Sequence, residues 1–284
     1  MTADPLLYET HMHTPLCGHA SGQPEEYARV AVDRGLKGVV VTCHNPLPKP
    51  LSPRVRMRID QFDGYVKMVD RARAAMVGLA DVRLGMECDY IPGLEGWLEQ
   101  QLGWADFDYV LGSVHPHLAE YRDLFWGGDI DAYQRGYFEH LAMSAETGLF
   151  DALAHPDLIK TIESSEWRPE RLAHEIERAL DRIARTGVAM EFNTSGRYKV
   201  PGEMYPAEPI LVGMAARGIP VVIGADAHAP ERVADGYGGA LERLARAGYD
   251  EVSLFLRRRR VAVPLEQAWR QVEQANSEIR GALP

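Results

Sequence analysis

The sequence predicts a single-domain α/β barrel of seven strand–helix units, and three observations carry that reading. Short, β-branched apolar runs alternate with helix-period segments, which implies parallel strands joined by right-handed crossovers. Seven such runs occur without a Gly-x-Gly-x-x-Gly fingerprint, which favours a barrel over an open dinucleotide-binding sheet. No Pro/Gly/Ser-rich linker, internal repeat or low-complexity tract divides the 284 residues.

The elements follow in order. A strand over 6–11 leads to a helix over 24–34, whose Pro-Glu-Glu opening suits a first turn. The Val-rich run over 38–44 is the second strand, followed by a long mixed helix over 55–79. Strands over 81–87 and 108–115 precede a helix over 131–147, and the fifth strand covers 150–155. A helix over 169–186, a strand over 188–193, a helix over 206–217 capped by Gly218, and a strand over 220–226 complete the barrel. Beyond it, a strand pair over 252–256 and 261–265 and a helix over 265–280 are expected on the outside, as one unit over about 249–280. The Arg257–Arg260 run then falls in the turn of that pair, as a solvated charged turn rather than a nucleic-acid patch.

Lys and Arg number 31 against 41 Asp and Glu, a net charge of −10, which argues against a long nucleic acid as partner. It does not exclude a small phosphorylated substrate, because a local site can be positive in an acidic protein. No stretch reaches the apolar length of a membrane span, and the first residues lack a secretory pattern, so a cytoplasmic protein without a membrane partner is expected. Three cysteines have the wrong parity for a disulfide framework. Nothing in the sequence indicates an oligomeric state.

A lone histidine is ordinarily a hydrogen-bonded, partly buried residue. Here position along the strands changes the weighting. His11 and His13 close the first strand, and His19 lies in the loop beyond it. His44, Glu87, His115 and His155 close the second to fifth strands, and Asp226 and His228 close the seventh. His117 also lies beyond the fourth strand, whereas His140 and His174 fall inside helices and are assigned to structure. Parallel barrel strands converge their C-terminal ends on one rim, where barrel enzymes place their chemistry. So many imidazoles and carboxylates exceed the needs of one metal, since a catalytic zinc takes about three protein ligands plus water. A multinuclear site of zinc, iron or manganese follows, with no basis for choosing among them. Cys43 and Cys88 adjoin ligands and should point to the opposite strand face as packing residues. Cys17, in a loop, is open between packing and ligation. Glu9 and Asp89 share strand parity with His11 and Glu87, so each is either a carboxylate that orients a ligand or a barrel-layer polar residue.

The segments HMH at 11–13, PLCGHA at 15–20, TCHNP at 42–46, GMECDYIPG at 85–93, GSVH at 112–115, AHPDLIK at 154–160, NTSGRYK at 193–199 and GADAH at 224–228 resemble the PHP (polymerase and histidinol phosphatase) superfamily. Within it they look most like the stand-alone histidinol-phosphate phosphatases of the HisK type. The resemblance implies a distorted (β/α)7, TIM-like barrel with three divalent ions. Carried over, His11, His13, Glu87 and Asp226 would hold one ion. Glu87 would bridge to a second held by His115 and His155, and His19, His44 and His228 would hold a third. Arg197 falls where the resemblance implies phosphate binding, with Lys160 assisting. Two departures occur: Glu9 stands where Asp is more usual, and Pro116-His117 where an aromatic is more usual, so the substrate-facing loop over 116–129 is expected to differ.

The implied activity is hydrolysis of L-histidinol phosphate to L-histidinol and inorganic phosphate, a step of histidine biosynthesis, by a metal-bound hydroxide. Glu87, Asp226, His228 and Arg197 would be the catalytic set, His117 would join Arg197 and Lys160 in binding substrate, and His117, His228 or equally a metal-bound water would be the proton donor to the leaving group. Three divalent ions against two carboxylates leave such a cage strongly positive, which suits a phosphomonoester dianion. Other readings are a phosphoesterase for another small metabolite or a nucleotide, an amidohydrolase-type enzyme, and a non-catalytic metal-binding regulatory module. The amidohydrolase pattern wants eight strands and often a modified Lys at strand four, where this chain has His115.

Overall fold

A computed structural model describes residues 6–49 and 51–281. Seven strands form the barrel: β1 (Tyr8–Glu9), β2 (Gly38–Val41), β3 (Asp81–Asp89), β4 (Tyr109–Ser113), β5 (Ala152–Leu153), β6 (Ala189–Asn193) and β7 (Val221–Gly224). They are hydrogen-bonded in chain order, each pair parallel. The first and last meet at the rim, where a bridge pairs Met12 with Ala227. There His13 N donates to Ala227 O and Ala227 N to His11 O, both at 2.9 Å. The expected seven-stranded barrel is therefore present, joined between its first and last strands by this short bridge.

Around it lie α1 (Pro24–Asp33), α2 (Phe62–Ala75), α3 (Glu95–Leu102), α4 (Ala119–Phe125), α5 (Ile130–Glu146), α6 (Ala173–Thr186), α7 (Glu208–Ala216) and α8 (Tyr237–Ala247). Pro24 with Glu25 and Glu26 makes the expected first turn of α1. The helix expected over 55–79 is shorter. Arg56 turns inward, donating to Asn45 O and pairing with Asp89 and Glu120, so its segment stays irregular until Ile59. α3, α4 and α8 occupy segments to which the sequence reading assigned no helix. α4 lies in the loop after β4, fixed there by Ser52 Oγ donating to Glu120 Oε2 at 2.5 Å and by Tyr121 Oη against His140 Nδ1 at 2.7 Å. That contact gives His140 the structural role expected of it.

The C-terminal unit is a hairpin of β8 (Glu251–Leu256) and β9 (Arg259–Pro264), followed by α9 (Leu265–Gly281). The arginine run is not a free solvated turn. Arg257 and Arg258 are the two turn residues, with φ of 51° and 61°, and Arg259 and Arg260 belong to β9. Arg258 Nε donates to Asp151 Oδ2 at 2.5 Å and its Nη2 to Leu149 O at 2.7 Å, while Arg258 N donates to Asp108 O. Asp108 and Asp151 immediately precede β4 and β5, so the hairpin tip seals the end of the barrel opposite the histidine-rich rim.

Candidate metal centre

The ligand-type residues stand at or just past the C-terminal ends of their strands, as parallel barrel geometry requires. Glu87 is the hub. Its Oε2 lies 2.9 Å from His44 Nδ1, 3.4 Å from His11 Nε2 and 3.6 Å from His13 Nε2. Its Oε1 lies 3.0 Å from His155 Nε2 and 3.4 Å from His115 Nε2. Asp226 Oδ1 completes one side, 3.1 Å from His13 Nε2 and 3.6 Å from His11 Nε2. Burial alone would raise the Glu87 pKa, but His44, His11 and His115 hold it well below the usual carboxylate range. Asp226 is depressed against burial in the same way, chiefly by His11 and His13.

The orientation of the rings tests whether this donor set fits ions. His11 Nδ1 lies 2.8 Å from Glu191 Oε1, and His115 Nδ1 2.5 Å from Asp89 Oδ1. His19 Nδ1 lies 3.0 Å from Cys17 O, and His228 Nδ1 2.9 Å from Asp226 O. A carboxylate or carbonyl oxygen only accepts, so each Nδ1 carries a proton, and in its neutral form each ring turns its Nε2 lone pair to the cluster. Several buried atoms there have no hydrogen-bond partner: His11 Nε2, both His13 nitrogens, His44 Nδ1 and Glu87 Oε2. Leaving buried polar atoms unpaired costs about 1–3 kcal/mol each. Donor atoms lie within 4.8 Å of one another in His11–His13–Asp226, in His44–Glu87–His115 and in His13–His44–His228. The first lies within one of the sets the resemblance implied, the second joins Glu87 and His115 of the second set to His44 of the third, and the last joins His44 and His228 of the third to His13. His44 belongs to both of the others, between the second and third expected ion positions. The residues therefore fit a cluster of divalent ions. His155 and Asp226 hold left-handed backbone, with φ of 29° and 48°, an outlier conformation for non-glycine residues that concentrates at functional sites.

Three carboxylates support the cluster from behind. Asp89 binds His115 and pairs with Arg56, so it takes the ligand-orienting option. Glu9 does not touch a ligand ring. Its carboxylate accepts from His11 N, Ala225 N and Ala234 N, tying the closing strands and the loop after β7 together. Glu191, absent from the sequence reading, holds His11 and accepts from His155 N and Asn193 Nδ2, both at 2.9 Å. Gly224 makes room for it, since a Cβ there would overlap Glu191 Oε1 and stand 2.7 Å from His11 Cβ. The signal for Glu191 was a lone acid inside the apolar run of β6.

The cluster floors a cavity of about 450 Å³. His117 is on its wall, stacked edge-on against His115 at 5.4 Å between centroids. The two expected phosphate cations are not. Lys160 is fully buried, donating to Asp157 Oδ2 at 3.1 Å and Met204 O at 2.6 Å, and so ties the loop after β5 to residue 204. Arg197 pairs with Asp235 and donates to Tyr198 Oη at 2.8 Å, outside the cavity lining. The cations that do line it are Lys199 and Arg232, which sequence reasoning missed. Arg232 lies 3.5 Å over the Tyr198 ring and 3.3 Å from Asp235.

Residues 9–195 match the PHP domain family. The "Probable histidinol-phosphatase" of Deinococcus radiodurans is 39% identical over 85% of this chain and 94% of its own length. The histidinol-phosphatase of Bacillus subtilis is 25% identical over 82% of this chain and 97% of its own. Among solved structures, the histidinol phosphate phosphatase of Lactococcus lactis, complexed with zinc, L-histidinol and phosphate, superposes with a TM-score of 0.76 at 16% identity. It covers 89% of this chain and 98% of that one. None of the described helices is long and apolar enough to cross a membrane.

Proposed function

The chain belongs to the PHP domain family, and we propose that it is a metal-dependent phosphomonoesterase that hydrolyses L-histidinol phosphate to L-histidinol and phosphate. The observation that carries the reading is the single Glu87 carboxylate ringed by five imidazoles, with Asp226 beside it, on the floor of one cavity. The substrate is supported by the histidinol-phosphatases it resembles along most of their length. It is supported further by the zinc, L-histidinol and phosphate held by the neighbour of like fold.

His11, His13, Glu87 and Asp226 would hold one ion, Glu87 with His115 and His155 a second, and His19, His44 and His228 a third. When bound, such ions acidify water and neutralise phosphoryl oxygens. The protein's own contributions are distinct. Glu191 and Asp89 keep His11 and His115 in the tautomer that offers Nε2 to the cluster. Arg232 and Lys199 present positive charge at the mouth, where a phosphomonoester dianion enters. Arg197 stands behind them and shares Asp235 with Arg232, which makes it a positioning residue for that wall. Lys160 acts further back, on the loop that carries His155. His117, beside His115 on the wall, would meet the part of the substrate beyond the phosphate.

A panel of L-histidinol phosphate, sugar phosphates, nucleoside monophosphates and a phosphodiester, each assayed for product release with metal-loaded protein, tests the reading. L-Histidinol phosphate should give the highest kcat/KM. A nucleotide or diester preferred over it would overturn the substrate assignment.

A further inference from the structure

Cys17 has no part in the ligand sets given so far, yet its sulfur lies among them. The turn Pro15–Cys17 is set by local chemistry: Thr14 Oγ1 accepts from Leu16 N, Pro15 fixes the first turn residue, and Gly18 ends the turn at φ 79°. Any side chain at Gly18 would press on Arg54 O, since its Cβ would come within 2.7 Å. The turn therefore delivers Cys17 and His19 to the cluster as a unit. Cys17 Sγ and ring nitrogens of His19 and His228 lie within 4.8 Å of one another. Those two rings have their Nδ1 atoms committed to the carbonyls of Cys17 and Asp226, and their Nε2 atoms face each other at 2.9 Å. Facing lone pairs at that distance need a shared proton or a shared cation between them.

We propose that Cys17 Sγ is a ligand of the ion held by His19 and His228, giving that position one thiolate donor. The inference rests on the metal-dependent reading above. Zinc bonds of about 2.3 Å to sulfur and 2.0–2.1 Å to nitrogen at tetrahedral angles place donors about 3.3–3.6 Å apart. The donor atoms, within 4.8 Å of one another, would have to close to that spacing around an ion. Cys43 supports the assignment from behind. Its sulfur shares a second group with Cys17 and His13, with donor atoms within 4.8 Å. It is held in place by Thr14, accepting from Oγ1 at 3.2 Å and donating its own S–H to the backbone O at 3.8 Å. Binding releases the Cys17 proton to solvent and forms one sulfur–metal bond, with no change of oxidation state. A sulfur donor makes this position select zinc or iron over manganese, whereas the His/carboxylate positions around Glu87 have no such bias.

Cobalt(II) substitution of the full chain tests this directly. Tetrahedral cobalt gives visible ligand-field bands, and a thiolate ligand adds a near-ultraviolet sulfur-to-cobalt charge-transfer band. The account expects that band in the unaltered protein and in Cys88→Ala. It expects Cys17→Ser to lose the band while keeping ligand-field absorption, with zinc affinity at the weakest-bound ion lowered by about 100-fold or more, beyond the roughly 10- to 100-fold cost of losing an outer partner. Ligand-field bands without the charge-transfer band, or a charge-transfer band that survives Cys17→Ser, would overturn the proposal and leave the metal-dependent reading standing. A protein that takes up no cobalt or zinc at all would instead overturn that reading.

Discussion

Replacing Glu191 by Gln changes one atom's chemistry at nearly constant volume, and the structure dictates what must follow. The carboxylate receives three donors: His11 Nδ1 at 2.8 Å on Oε1, and His155 N and Asn193 Nδ2, both at 2.9 Å, on Oε2. An amide has only one accepting oxygen. With its NH2 on the Oε2 side, two donors are left facing a donor. With its NH2 on the Oε1 side, His11 must move its proton to Nε2, which removes the lone pair aimed at Glu87 and Asp226. Either way at least one bond to a charged acceptor is lost, worth about 1.5–3 kcal/mol. At about 1.4 kcal/mol per decade, that weakens the ion shared by His11, His13 and Asp226 by about 10- to 100-fold. Chelator-competition titration with zinc, run beside a melting curve in excess chelator, separates the metal effect from the folding effect. A Glu191→Gln protein with wild-type metal affinity at all positions would refute the argument that this carboxylate sets the His11 tautomer.

The other predictions concern the cluster, its mouth and the barrel floor. Glu87→Ala should abolish phosphate release more completely than His19→Ala at matched metal content, because Glu87 touches five candidate ligands and His19 stands at the edge. Arg232→Ala should lower kcat/KM on the order of 10- to 100-fold and weaken inhibition by inorganic phosphate in parallel, the scale of one lost charge-assisted contact. Arg197→Ala should cost less than Arg232→Ala, and the reverse order in steady-state assays would return the phosphate contact to Arg197. Arg258→Ala removes the half-buried pair with Asp151 and the bond to Leu149 O, so Tm should fall by roughly 2–6 °C for about 1–2 kcal/mol with kcat unchanged. An unchanged Tm would show that the hairpin tip adds nothing to the barrel.

The barrel was legible because its strands are short apolar runs, all but the sixth ending on or near a histidine or an acid, a pattern local to each strand. Eight of the nine ligand-type positions stand at or near those ends, and His19 lies in the loop after the first. What escaped the sequence depends on partners distant along the chain. α4 is seven residues long and carries buried Glu120 and Tyr121 rather than an apolar stripe, so its helix is set by Ser52, Arg56 and His140. The irregular stretch before α2 follows from Arg56 reaching Asp89, thirty-three positions on. Glu191 was visible as an acid in an apolar strand, but its use required knowing that β6 lies beside β7 and faces His11. The cations on the cavity wall are not the ones expected, for a related reason. NTSGRYK carries both Arg197 and Lys199, and only the conformation of its turn, with Asp235 drawing Arg197 aside, decides which one meets the cavity.

The central claim, that one ion cluster built around Glu87 does the hydrolysis, is tested most directly by crystals of zinc-loaded protein soaked with inorganic phosphate. Anomalous difference maps at the metal edge, read with elemental analysis of the same preparation, count and place the ions. The account predicts three peaks within one cluster, with Glu87 between two of them and phosphate bound on the side of Arg232 and Lys199. A fully loaded protein with a single peak, and with His19, His44 and His228 turned away from it, would contradict it.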